Sequence, residues 1–168
     1  MNICRKGFLR LPLDVRKMVD KDLLNSKLQE LERYITQLSK HRGVTSDKLA
    51  NDLDEAWIIQ HGLLLCIQVV LDMGNHILAD AGVSVNEYAD IFPQLGRLGV
   101  IPEDYAVSIK GMAGLRNLLV HEYSELDMDT LAGVVNNRLN DFTRFGTYVL
   151  KYMEKIKEIV RKRKRLNE

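Results

Sequence analysis

Apolar residues that recur three and four positions apart over two long stretches restrict what this chain folds into more than any other feature. Leu24, Leu28, Leu31, Ile35 and Leu38 follow that rhythm near the N-terminal end. Leu131, Val135, Leu139, Phe142, Phe145, Val149, Met153, Ile156 and Val160 follow it near the C-terminal end. Such spacing gathers side chains on one stripe of an α-helix, which must be buried against a second helix. No convincing segment alternates with the period of two that a half-buried strand requires. The pattern predicts an all-α protein, an up-and-down bundle of four to five helices.

Cap and breaker residues divide the chain. Asp20 suits the N-cap of a first helix over residues 21–40. Ser46 and Asp47 suit the cap of a second, over residues 48–81, with an interruption near 51–54 and a stop at Gly82. Ser84-Val-Asn-Glu87 reads as a capping box opening a short third helix, which Pro93 breaks or restarts and Gly96 and Gly99 end. Pro102 fits the first position of a fourth helix reaching Val120. A fifth is expected over residues 129–162. Residues 1–17 read as an arm or extension, 18–162 as the helical domain, and 163–168 as a basic tail.

Composition narrows the class. The 168 residues are 46% hydrophobic and 28% charged with only three prolines, as expected of an ordinary helical domain with one core. The formal net charge of +1 gives the whole molecule no strong attraction to nucleic acid. Basic residues do concentrate at the end: Lys155, Lys157, Arg161, Lys162, Arg163, Lys164 and Arg165 stand against Glu158 alone, which suits a solvated helix end or an RNA or partner contact. Cys4 and Cys66 suggest no disulfide framework, and Cys66, in an apolar run, reads as a buried thiol. Neither shows metal-ligand spacing, and no metal or cofactor is expected. The run from Trp57 to Leu71 is interrupted by Gln60, His61 and Gln68 and reads as too short for a membrane span. With no signal-peptide core evident either, the expected location is the cytosol.

Two places carry polar residues that a plain core has no use for. His61, Gln68, Asp72, Asn75 and His76 fall on roughly one face of the second helix, and Asp72–His76 is an i,i+4 pair able to hydrogen-bond. The stripe either faces solvent or lines a cleft. The second place is Arg116-Asn-Leu-Leu-Val-His-Glu-Tyr123. Asn117 and His121, four apart, share a helix face, while Arg116 and His121 lie about 140° apart around the axis and about 7.5 Å apart along it. They flank a site without touching. A histidine moves a proton at neutral pH, and a guanidinium fork holds phosphate oxygens and stabilises growing charge. On spacing alone, a core histidine or an imidazole capping the helix end would serve as well.

The longer phrase Gly111-Met-Ala-Gly-Leu-Arg-Asn-Leu-Leu-Val-His-Glu-Tyr123 resembles the Arg-x4-His-x-Tyr signature of HepT-type toxins in the HEPN superfamily. Leu71-Asp-Met-Gly-Asn-His-Ile77, the Pro93 region and Gly99-Val-Ile-Pro-Glu103 resemble matching segments of the same family, so the likeness covers nearly the whole domain.

That resemblance implies a metal-independent endoribonuclease leaving a 2′,3′-cyclic phosphate, with Arg116 and His121 as the catalytic pair and Asn117 in support. It implies a homodimer whose two motifs face each other across a cleft, with Asp72 and His76 lining it. It also implies a nucleotidyltransferase antitoxin of the MNT type as partner, with Tyr123 as the residue that receives AMP. The competing readings are a non-catalytic helical protein that binds a nucleotide or a nucleotidyltransferase, and a dimeric scaffold without an active site.

Overall fold

The computed structural model describes residues 20–121 and 126–166. Among these residues it contains eight helices and no strand. The arm over residues 1–17 and Tyr123 lie outside the described residues. α1 (Lys21–Ser39) begins where Asp20 accepts hydrogen bonds from the backbone N–H groups of Asp22 and Leu23. It buries Leu24, Leu31 and Leu38 and packs on α3 (Leu53–Asp80) and α8 (Leu139–Leu166).

The eight segments arise because three of the five expected helices each divide in two. The second divides at Asp52, whose carboxylate caps α3 by accepting from the Glu55 N–H, leaving α2 (Ser46–Asn51) as a short segment of its own. The cap of α2 is Thr45 and not Ser46 or Asp47; its hydroxyl accepts from the Lys48 N–H at 3.2 Å. The fourth expected helix becomes α5 (Glu103–Ile109) and α6 (Gly111–His121). At the joint, Lys110 and Ala113 donate to carbonyls three residues back, and Gly111 supplies little helix propensity to resist the bend. Pro102 sits at the N-cap, one position earlier than expected. The fifth divides at Arg138 into α7 (Met128–Asn137) and α8. Arg138 is held there by Asp141 and by the Ser108 carbonyl, while Asn136 bonds to the Val44 carbonyl and the Gly43 N–H. Tertiary hydrogen bonds therefore fix breaks that the apolar rhythm runs straight through.

The expected capping box at Ser84 does not form. α4 (Tyr88–Arg97) starts later, with Glu87 extended at the N-cap and making no side-chain cap bond. Gly82, at φ 75°, ends α3, and Val83 and Val85 beyond it both pack on the core. Packing outweighs the local capping signal here. Pro93 lies inside α4, and Gly99, at φ 68°, follows its end.

α3 is the axis of the bundle: α1, α4 and α6 pack along it, and α2, α7 and α8 also touch it. Its 28 residues, with mean hydropathy 1.6 over the most apolar window, make it longer than its apolar run suggested and enough to cross a membrane by length and composition. In the bundle it is the core helix, with Ile59, Leu63, Cys66, Ile67, Val70, Met73 and Ile77 fully enclosed. Burial pushes the Cys66 thiol up to about 12. Phe92 of α4 meets Phe145 of α8 edge to face, with centroids 6.5 Å apart. α8 continues to Leu166, through the start of the expected basic tail.

Candidate active site

α6 runs back along α3. Its Asn117 end lies near Asn75, and Leu119 lies near Trp57, His61 and Leu64. Met112, Ala113 and Leu119 of α6 are buried, Asn117 and His121 lie on the exposed side, and Arg116, four residues from Met112 and three from Leu119, sits at the edge of the packed side. His121 is exposed on the last residue of the helix, which removes the reading of a packed core histidine.

Arg116 is half-buried, and the reason lies on another helix. Its guanidinium carbon stands 4.9 Å from the centroid of the Tyr88 ring, at the start of α4. A cation over an aromatic face is attracted by the negative face of the ring, by about 0.5–1 kcal/mol where solvent has access. Arg116 Nη1 also reaches Asn117 Oδ1 at 3.5 Å, the long limit of a hydrogen bond. The guanidinium is thus held between a ring and an amide. Nothing in the sequence marked Tyr88: it lies 28 residues from Arg116, in a stretch whose local signals described a helix start.

Beside this pair opens a cleft of about 720 Å³, lined by Asn75 of α3, by Val85, Asn86 and Glu87 of the connection, by Tyr88 of α4, and by Ala113, Gly114 and Asn117 of α6. Of the polar stripe on α3, Asn75 reaches this cleft. Asp72 is exposed and meets Lys27 of α1 at 3.5 Å. Desolvation opposes the Lys27 ammonium, but Glu30 and Asp72 outweigh it and hold Lys27 above its ordinary value. His76 faces Asp80 one turn on, with Nε2 3.5 Å from Asp80 Oδ2. The i,i+4 bond expected between Asp72 and His76 is not made, because α1 offers Asp72 a cation and Asp80 offers His76 a carboxylate. Neither residue lines the cleft within one chain. Among the described residues, no three His, Cys, Asp or Glu side chains gather as a metal ion would require.

The chain compares closely with proteins of known kind. The family described as ribonuclease HepT-like matches residues 28–149, from within α1 to Val149 of α8. A tRNA nuclease HepT of Aphanizomenon flos-aquae is 25% identical over 138 residues, 81% of this chain and 93% of that protein. An mRNA nuclease HepT of Shewanella oneidensis is 29% identical over 126 residues, 74% of this chain and 93% of that protein. A solved structure described as a tri-AMPylated Shewanella oneidensis HEPN toxin in complex with MNT antitoxin superimposes with a TM-score of 0.70, at 26% identity, over 78% of this chain and 98% of that one. The matched stretch contains the whole of α6 with Arg116, Asn117 and His121, and the chain belongs to the HepT-like ribonuclease family.

Proposed function

We propose that this chain is the toxin of a toxin–antitoxin pair, an endoribonuclease that cuts RNA without a metal by attack of a ribose 2′-hydroxyl. The observation that carries the reading is α6, where His121 is exposed and Arg116, at the edge of the packed side, is held by Tyr88 and Asn117. In the step proposed, a neutral His121 imidazole takes the proton of the 2′-hydroxyl. That oxygen bonds to the adjacent phosphorus, and the bond to the 5′-oxygen breaks. The products are a 2′,3′-cyclic phosphate and a 5′-hydroxyl, whose proton comes from a protonated imidazole. Arg116 stabilises the charge that builds on the phosphate oxygens.

The step uses one imidazole as base and another as acid, and one chain supplies a single motif. Two protomers facing across a two-fold axis supply both. α3 offers the surface for this: Trp57 and Ile58 are 59% and 55% exposed and share roughly 100° of arc with His61, Gln68 and Asp72. Exposed apolar groups of this size mark contact surfaces. In such a dimer the exposed Asp72 lines the shared cleft, and His76, turned to Asp80, stands behind it. The antitoxin proposed is an MNT-type nucleotidyltransferase that adds AMP to Tyr123. The description of the Shewanella structure as AMPylated and MNT-bound supports this partner. A bulky anion beside His121 would repel RNA as a phosphoryl group does.

The test is cleavage of total cytoplasmic RNA by the purified protein with and without chelator. His121→Ala and Arg116→Ala are each expected to lower the rate by about 10²- to 10⁴-fold, with helical circular dichroism unchanged. If the wild-type dimer cuts no RNA in either condition, the reading fails.

A further inference from the structure

The cleft beside Arg116 has a lining that a phosphate site would not have. Three side-chain amides, Asn75, Asn86 and Asn117, come to it from three different elements. Tyr88 supplies an aromatic wall, and Glu87 supplies a carboxylate. Among the described lining residues there is no lysine or arginine; the guanidinium of Arg116 stands outside the lining, over the Tyr88 ring. A carboxylate repels a phosphate, and amides bond equally well to donors and acceptors. An uncharged, flat, hydrogen-bonding group suits such a lining, and its negatively charged neighbour suits Arg116. The volume of about 720 Å³ lies within the range of small-ligand sites. Tyr88 is 45% exposed and lines the cleft, so a ligand can reach it.

We infer that this cleft is the seat of one unpaired nucleobase of the RNA, with Tyr88 as its stacking platform and Asn75 and Asn86 meeting its edge, so that the phosphate next to that base lies at Arg116. The inference rests on the proposed RNA cleavage and assigns the substrate contact nearest the catalytic pair. Stacking on a ring accepts any base, whereas amide and carboxylate groups at the edge discriminate among them. Glu87 accepts hydrogen bonds only, so it meets the donors of a base edge, an exocyclic amino group or a ring N–H. Tyr88 thereby has two tasks, holding Arg116 and receiving the base.

Two substitutions separate this from a structural role. A Cβ at Gly114 meets nothing within 4 Å, so Gly114→Gln fills the cleft without pressing on the bundle. Tyr88→Leu keeps an apolar side chain at the position and removes the π-face. The experiment uses the full chain and an RNA with a defined cut, together with versions carrying one abasic ribonucleotide at successive positions around it. Each is followed by cleavage kinetics and by anisotropy of the fluorescein-labelled RNA. Tyr88→Leu and Gly114→Gln are expected to weaken KM and binding roughly 5- to 100-fold, the range of one base–aromatic stack. Tyr88→Phe should recover most of what Tyr88→Leu loses. At one abasic position, and only there, wild type should bind as weakly as the variants, with no further loss on substitution. Equal losses at every abasic position overturn the inference, as does wild-type binding that no abasic position weakens. RNA bound with this pattern but left uncut would sink the nuclease reading and keep the base site.

Discussion

α3 and α6 lie side by side, and their glycines show that they are built for opposite ends. A Cβ placed on Gly74 of α3 would stand 2.6 Å from Ile91 Cγ2, and one on Gly62 would stand 2.7 Å from Leu38 Cδ2. A Cβ on Gly111 or Gly114 of α6 meets nothing within 4 Å. On α3, a methyl at either glycine would press on a side chain of α4 or α1. On α6, glycine leaves room beside the residues proposed to be catalytic. The histidines repeat the contrast: the Nε2 of His76 is buried against Asp80, whereas His121 is exposed. The residues proposed for the chemistry thus sit on a helix that buries only Met112, Ala113 and Leu119, beside one that runs through the centre of the core. Loss of activity and loss of stability should accordingly map to different helices.

The largest stability effect is expected at the centre of α3. Ile67 is fully enclosed, and Ile67→Ala leaves a cavity costing about 2–5 kcal/mol, read as a lowered urea midpoint. The same measurement on Arg116→Ala should show a loss of no more than about 1 kcal/mol, the worth of its contact with Tyr88. Similar losses for the two would break the division between the helices. Gly74→Ala comes next. Alanine favours the helix over glycine by about 1 kcal/mol, but forcing a methyl against a well-packed neighbour costs about 1–3 kcal/mol. Ile91 is branched at Cβ and has few rotamers through which to withdraw. The net expectation is a loss of about 1 kcal/mol in the same denaturation. A gain would mean that α4 moves away from α3 at little cost.

The two helices also differ in how far their sequences could be read. On α3, the apolar run predicted a buried helix, and the Asp52 break and Gly82 stop followed from residues that act locally. On α6, the residues Arg116, Asn117 and His121 were visible in order, but the Tyr88 ring that holds Arg116 was not. A cation–π contact between residues 28 apart leaves no periodic trace. The break at Arg138 was missed for the same reason, since the bonds from Arg138 to Ser108 and from Asn136 to Val44 are made across the fold. The mistaken partners of Asp72 and His76 are a further instance: i,i+4 spacing names the neighbours on one helix, while Lys27 arrives from another.

The smallest effect probes α6 itself. Gly114→Ala adds a methyl into open space in the middle of a helix and removes backbone freedom from the unfolded chain. Stability should rise by up to about 1 kcal/mol, a shift of roughly 2–4 °C in melting temperature for a chain of this size. Followed by circular dichroism over a range of protein concentrations, the sign of the shift is informative. A gain independent of concentration means that the space beside Gly114 is open in solution. A loss that deepens as concentration rises means that a second protomer occupies it. The face of α6 would then be shaped by the dimer as well as by the cleft, and Gly114 would belong with Gly74 as a glycine required by close approach.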